Sequence, residues 1–97
     1  MPRTDAAPDL SVSLCGLALS NPVIAASGTF GMGEEVLPFY HPSVLGGFCT
    51  KGLTLRPREG NPGIRLHETR GGLMNSIGLQ NPGVHAFVEE ILPRIRG

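Results

Sequence analysis

The chain has 97 residues, with eight basic and eight acidic side chains, 40% hydrophobic residues and no Trp. Its length bounds it to one domain at most, and its zero net charge excludes nucleic acid as the main partner, since binding a phosphate backbone calls for a basic face. Fourteen Gly and nine Pro sit at element ends and in loops without a repeat, which is turn chemistry and not disorder.

Met1 to Asp9 is polar and proline-containing and lacks an apolar core, so it reads as a frayed tail and neither a signal peptide nor an anchor. The longest uninterrupted apolar run, Val23 to Ala26, is far short of the ~20 residues that span a bilayer. Two cysteines without a secretory signal point to a reducing, cytoplasmic setting. Cys15 lies in a turn and Cys49 in a strand pattern, and both read as inert small hydrophobes.

Leu10, Val12 and Leu14 alternate with Ser11 and Ser13, Cys15-Gly16 follows, and Leu17 to Leu19 returns, the pattern of a β-hairpin. Val23 to Ala26 is continuous, apolar and short, as expected of a strand buried on both faces of a parallel sheet. It leads into Ser27 to Gly33, whose small residues let a ligand approach the backbone. Glu34 and Glu35 in a first turn place a short, Pro38-distorted helix between Gly33 and Tyr40. Phe48 to Thr50 forms a second strand that delivers Lys51, the only lysine, to its C-terminal end.

From Lys51 to Gly83 the chain is rich in Gly, Pro, Asn and Arg and shows no helical period, with a small strand around Ile64, Leu66 and Glu68. So long a connection with little regular structure is usually functional when ordered. Its five cations, Lys51, Arg56, Arg58, Arg65 and Arg70, face only Glu59 and Glu68, which suits a small anion on a neutral scaffold. Asn81 as N-cap and Pro82 at the first helical position then start a helix. Val84, Phe87, Val88, Ile91, Leu92 and Ile95 form its apolar stripe, and Pro93 should kink or end it near Leu92.

Strand, helix, strand, long loop and helix in succession indicate α/β architecture with a parallel sheet. Two strands do not make a sheet buried on both faces, and the stripe of the last helix lacks a strand layer to cover it. The expected fold is therefore the N-terminal part of a TIM (β/α)8 barrel, an incomplete single domain over 1–97 with an N-terminal hairpin and about two βα units, in a fold of ~250 residues. In such barrels the C-terminal strand ends carry the site. Ala26, Ser27 and Gly28 hold that place after one strand, and Lys51 and Gly52 after the other. A lysine there would pair with an anion or an electron-rich carbonyl, and Asn75 to Leu79 adds an amide able to read a flat heterocycle. Gly28-x-x-Gly31-x-Gly33 lacks dinucleotide spacing, there is no Walker loop, and His41, His67 and His85 lack metal-ligand spacing.

The segments NPVIAASGTFG, TKGLTLRPREGNPGIRLHETRGG and LMNSIGLQNPG resemble the N-terminal third of dihydroorotate dehydrogenases, nearest to the type 1B catalytic subunit. The resemblance covers Leu10 to Arg96 and implies an FMN-containing TIM barrel that oxidises dihydroorotate to orotate in pyrimidine (UMP) biosynthesis. It implies cofactor contacts at Ala26, Ser27, Gly28, Lys51 and Gly52, and substrate contacts at Lys51, Asn75, Ser76, Ile77, Gly78 and Leu79. It further implies a homodimer joined to a subunit carrying FAD and an iron–sulfur cluster, with electrons passing to NAD. The family's catalytic cysteine lies in a later segment that neither Cys15 nor Cys49 matches, and the flavin phosphate site is also later. The 97 residues alone are thus expected to be inactive. A fumarate-linked type 1A enzyme, a flavin barrel for another pyrimidine and a non-catalytic interaction module with an exposed apolar last helix stand as alternatives.

Overall fold

The computed structural model describes residues 7–96, so the first six residues of the expected tail lie outside it. Within the described part, Asp9 makes a local, exposed turn onto Ser11. Its Oδ1 accepts from the Ser11 hydroxyl at 2.6 Å and the Ser11 amide at 3.0 Å. Those two bonds, the hydroxyl's first, hold its carboxyl below the ordinary carboxylate value.

β1 (Val12–Leu14) and β2 (Leu17–Leu19) form the expected antiparallel hairpin, with Val12 opposite Leu19 and Leu14 opposite Leu17. The turn between them holds Cys15 at φ 49 and Gly16 at φ 84. Two successive positive φ values match the right-handed twist of a tight hairpin, so a cysteine occupies a place usually given to Asn or Asp. Both cysteines are exposed. Neither therefore packs as a core hydrophobe. Cys15 sits at the tip of a two-stranded ribbon with nothing packed over it.

β3 (Ile24–Ala25) and β4 (Gly47–Phe48) pair in parallel, Ile24 with Gly47 and Ala25 with Phe48. Gly46 is required beside this pair, because a Cβ there would run into the Asn21 carbonyl. The expected burial of both faces is not found, since Val23 is 56% and Ile24 43% exposed. A strand is covered on both faces only where neighbouring strands and helices flank it, and here β4 is the sole partner among the described residues. The helix expected between Gly33 and Tyr40 shrinks to a 3-10 turn, Glu34–Val36, followed by a second, Pro42–Val44. Glu35 turns back to accept from the Met32 amide at 3.1 Å, and Pro38 cannot extend a helical ladder.

The long connection contains a second antiparallel hairpin, β5 (Leu66–Thr69) with β6 (Gly72–Asn75), of which the sequence pattern indicates only the first strand. The last helix runs as α1 (Val84–Ala86), a π-helical segment (Phe87–Ile91) and α2 (Leu92–Ile95). It begins after Gly83, two residues beyond the expected start at Pro82. Pro93 does not end it. Proline lacks the amide that would bond the carbonyl four residues back, and its ring crowds that carbonyl. The preceding turn widens instead, with the Leu92 amide bonding the Phe87 carbonyl, and the Arg94 Nε takes the Glu90 carbonyl at 2.8 Å.

Met32, Ile91 and Ile95 form the buried core cluster among the described residues, with Leu37, Phe48, Leu53, Phe87 and Leu92 packed around them. The expected bare stripe is therefore largely covered, by the β4 end and the Met32 loop in place of a strand layer. Gly33, at φ 94, lets the Phe48 ring come close, where a Cβ would stand 2.7 Å from it. The molecule is nevertheless open. Its Cα radius of gyration is 17.8 Å, against ~12.5 Å for a compact chain of this length. Its surface of 7718 Å² compares with roughly 5,300 Å² for a compact protein of this mass. The three sheets have two strands each and form no closed barrel among the described residues, so the observed class is mixed α/β.

Candidate functional site

The ends of β3 and β4 are tied side by side. The Cys49 amide donates to the Ala25 carbonyl at 2.8 Å, the Ser27 hydroxyl to the Thr50 carbonyl at 2.8 Å, and the Lys51 amide to the Gly31 carbonyl at 3.0 Å. These bonds set Lys51 next to the loop that follows β3, with its side chain half-buried.

Beyond Lys51 the chain runs out and returns as two antiparallel arms. The Val84 amide donates to the Thr54 carbonyl at 2.9 Å, and Arg58 and Asn81 exchange both backbone bonds at 3.0 Å. Farther out, the Asn61 amide donates to the Ile77 carbonyl and the Ser76 amide to the Arg65 carbonyl, each at 2.8 Å. Side chains stitch the same seam. Asn61 Nδ2 donates to the Ser76 hydroxyl at 2.9 Å, and an Arg65 guanidinium nitrogen to Gln80 Oε1 at 2.9 Å. Close approach at this seam needs glycine twice. A Cβ on Gly60 would stand 2.5 Å from the Ile77 carbonyl oxygen, and one on Gly78 2.5 Å from Asn61 Oδ1.

The β5–β6 ribbon, the Ile77 to Leu79 turn and Lys51 border an open cavity of about 490 Å³ lined by Gly28, Lys51, Leu66, Leu73, Asn75, Ile77, Gly78 and Leu79. That volume lies in the ~300–1,000 Å³ range of small-molecule sites. Pairing of Leu66 with Asn75 and of Glu68 with Leu73 sets Leu66, Leu73 and Asn75 on one face of the ribbon. The cavity thus has apolar walls with one ammonium and one carboxamide. The amides of Ser27 and Gly28 have no protein acceptor among the described residues. Gly28, at φ 83, has nothing within 4 Å of where a Cβ would stand.

The sequence-derived candidates divide accordingly. Gly28, Lys51, Asn75, Ile77, Gly78 and Leu79 come together on this cavity, whereas Ala26, Ser27, Gly52 and Ser76 do not line it. Ala26 gives its carbonyl to the Thr29 amide and hydroxyl, Ser27 binds across to Thr50, and Ser76 belongs to the Asn61 seam. Gly52 lies beside Leu79, whose Cδ1 would be 3.2 Å from a Cβ there. Of the five cations in the connection only Lys51 reaches the cavity. Sequence reasoning missed Leu66 and Leu73 as walls. The signal was present in Arg70-Gly71, a short turn between two runs of alternating character.

Lys51 also borders a second cavity of about 500 Å³, shared with Glu34, Glu35, Arg58 and Glu59 among others. Three carboxylates against two cations disfavour an anion there, so the first cavity is the better anion site.

The family described as dihydroorotate dehydrogenase matches residues 9–97. The chain belongs to the dihydroorotate dehydrogenase family. Over 85 residues it is 65% identical to a Petrotoga mobilis protein named dihydroorotate dehydrogenase B (NAD(+)), catalytic subunit, covering 88% of this chain and 28% of that protein. Family members of the same name from Caldicellulosiruptor saccharolyticus and Geobacter metallireducens are 55% and 52% identical over 89 residues. Each alignment covers 92% of this chain, and 30% and 29% of those proteins. The chain therefore spans less than a third of the length of the curated dihydroorotate dehydrogenases it matches. No helix among the described residues is long and apolar enough to cross a membrane.

Proposed function

We propose that this chain forms the N-terminal, ligand-facing part of a TIM (β/α)8 barrel that oxidises dihydroorotate to orotate in pyrimidine biosynthesis. The supporting observation is the cavity on which Lys51, Asn75 and the Ile77 to Leu79 turn converge. Orotate is a planar anion with adjacent ring C=O and N–H groups. The Lys51 ammonium would bind its carboxylate, and the Asn75 carboxamide, which both donates and accepts, would read the pyrimidine edge. Leu66, Leu73, Ile77 and Leu79 would offer apolar contact to the ring. Ser76 would hold this turn in register through Asn61.

The residues after β3 fit a bound FMN. The amides of Ser27 and Gly28 would supply donors for carbonyl oxygens and the open backbone at Gly28 would admit a ring, with the small Ala26 and Gly52, which do not line the cavity, as further proposed contacts. Bound there, FMN would supply the acceptor for the hydride leaving the substrate. Lys51, at the same mouth, would hold positive charge where negative charge grows during the transfer. Neither Cys15 nor Cys49 lines the cavity, and no residue that does is a cysteine, histidine or carboxylate that would serve as general base. That group would come from another part of the barrel.

The names of the three relatives support the NAD-linked type B reading over the fumarate-linked one; a cytoplasmic homodimer joined to an FAD and iron–sulfur subunit is part of the same proposal. The test is protection of Lys51. In the protein at its native length, orotate is expected to slow acylation of the Lys51 amine, read by peptide mass spectrometry, whereas uracil, lacking the carboxylate, is not. Equal labelling with and without orotate would refute the assignment of the cavity.

A further inference from the structure

Asn81 is 6% exposed, the one buried polar side chain among the described residues. Every hydrogen-bonding capacity of its carboxamide is used. Oδ1 accepts from the Gly83 amide at 2.9 Å and from the Thr54 amide at 3.2 Å. Nδ2 donates to the Leu79 carbonyl at 2.8 Å and to the Thr54 hydroxyl at 3.0 Å. That hydroxyl passes its own proton to the Arg56 carbonyl at 2.6 Å. One side chain thus joins the arm that leaves Lys51, the end of the Ile77 to Leu79 turn and the start of the last helix.

The residue it holds by the carbonyl is not a relaxed one. Leu79 has φ 54, a left-handed conformation costly for a branched side chain, and it follows Gly78 at φ 80. Such a conformation persists only where the surroundings over-determine it. Leu79 lines the cavity, and its Cδ1 also lies against Gly52, the residue after Lys51.

We infer that Asn81 is a positioning residue: through Leu79 and Thr54 it sets the ligand-binding turn at a fixed distance from Lys51. The inference rests on the reading of this cavity as the orotate site. The bond from the Gly83 amide and the grip on Leu79 use different atoms of the same side chain, so they separate by substitution. Asn81→Asp keeps both acceptors for the Gly83 and Thr54 amides and replaces the donor facing the Leu79 carbonyl by a second acceptor. In the native-length protein loaded with FMN, Asn81→Asp is expected to raise the orotate Kd and the dihydroorotate KM about tenfold, the scale of two lost hydrogen bonds. FMN content should stay within error, while the thermal midpoint falls, because the lost bonds and a carboxylate buried against the Leu79 carbonyl both cost stability. Exchange of the Asn61 amide, bonded to the Ile77 carbonyl, should speed up while that of the Phe87 amide in the helix stays unchanged.

An unchanged orotate Kd, or a fall in thermal midpoint with affinity retained, would overturn the inference. If the unsubstituted protein binds no orotate, the function reading fails while the exchange comparison still decides the role of Asn81. Thr54→Val removes one of the two partners of Nδ2 without altering Asn81. If Asn81→Asp does not fold, Thr54→Val is expected to weaken orotate binding in the same direction, and no weakening counts against the inference.

Discussion

The packing of the last helix on Met32 and the paired arms between Lys51 and Gly83 hold their shapes by different means. Around Met32, Ile91 and Ile95 the order comes from apolar contact, with the Glu34–Arg94 ion pair at 3.1 Å as a partly exposed addition of little energy. In the arms there is almost no buried apolar surface, and Ile64, Leu66, Leu73 and Met74 are all more than half exposed. Order there comes from backbone bonds across the seam and from Asn61, Arg65 and Asn81. Apolar packing is non-directional and tolerates small shifts, whereas hydrogen bonds fix distance and angle. A site proposed to hold an ammonium and a carboxamide around one flat ring is better served by the second kind. The two regions should therefore fail differently.

The largest separation is expected from the core. Ile95→Ala, at a side chain 5% exposed, should destabilise the native-length protein by about 2–4 kcal/mol in chemical denaturation. It should leave the orotate Kd within about twofold. A comparable loss of affinity would mean that the helix and the seam are one unit. Gly78→Ala should do the reverse. Its φ of 80 and the nearness of Asn61 make any Cβ there strained. The conformational cost is about 1–2 kcal/mol, smaller than at Ile95. Since the turn relieves it by moving away from the cavity, orotate affinity should fall about tenfold with a modest change in midpoint. Intact affinity would show that the turn does not shape the site.

The same contrast governs what the sequence discloses. The first hairpin, the parallel strand pair and the delivery of Lys51 by β4 are written in alternation, short apolar runs and turn residues, all of which act locally. The amphipathic stripe correctly marks Ile91 and Ile95 as core, but not what covers them, because Met32 and Phe48 reach them only through the glycine-permitted bend at Gly33. Asn81 reads locally as an N-cap, but the cap residue is Gly83, and Asn81 Oδ1 accepts from that residue's amide instead of capping the helix. Its larger part, gripping Leu79 and Thr54, depends on arms that meet 27 residues apart, which no local pattern encodes. The helix passes Pro93 by widening to a π turn, a compensation that the proline alone does not announce. Exposure of β3 and of both cysteines is likewise a matter of which neighbours are present, not of the strand pattern itself.

The claim that joins these regions to a function is that Lys51 binds the anionic substrate beside the flavin. It is tested most directly by Lys51→Ala in the native-length protein, measuring orotate binding and the rate of flavin reduction by dihydroorotate under anaerobic conditions. The account predicts that both fall together, affinity by about ten- to a hundredfold, as expected when a charged hydrogen-bond partner is removed. Flavin reduction at the unsubstituted rate, with orotate still bound, would contradict it.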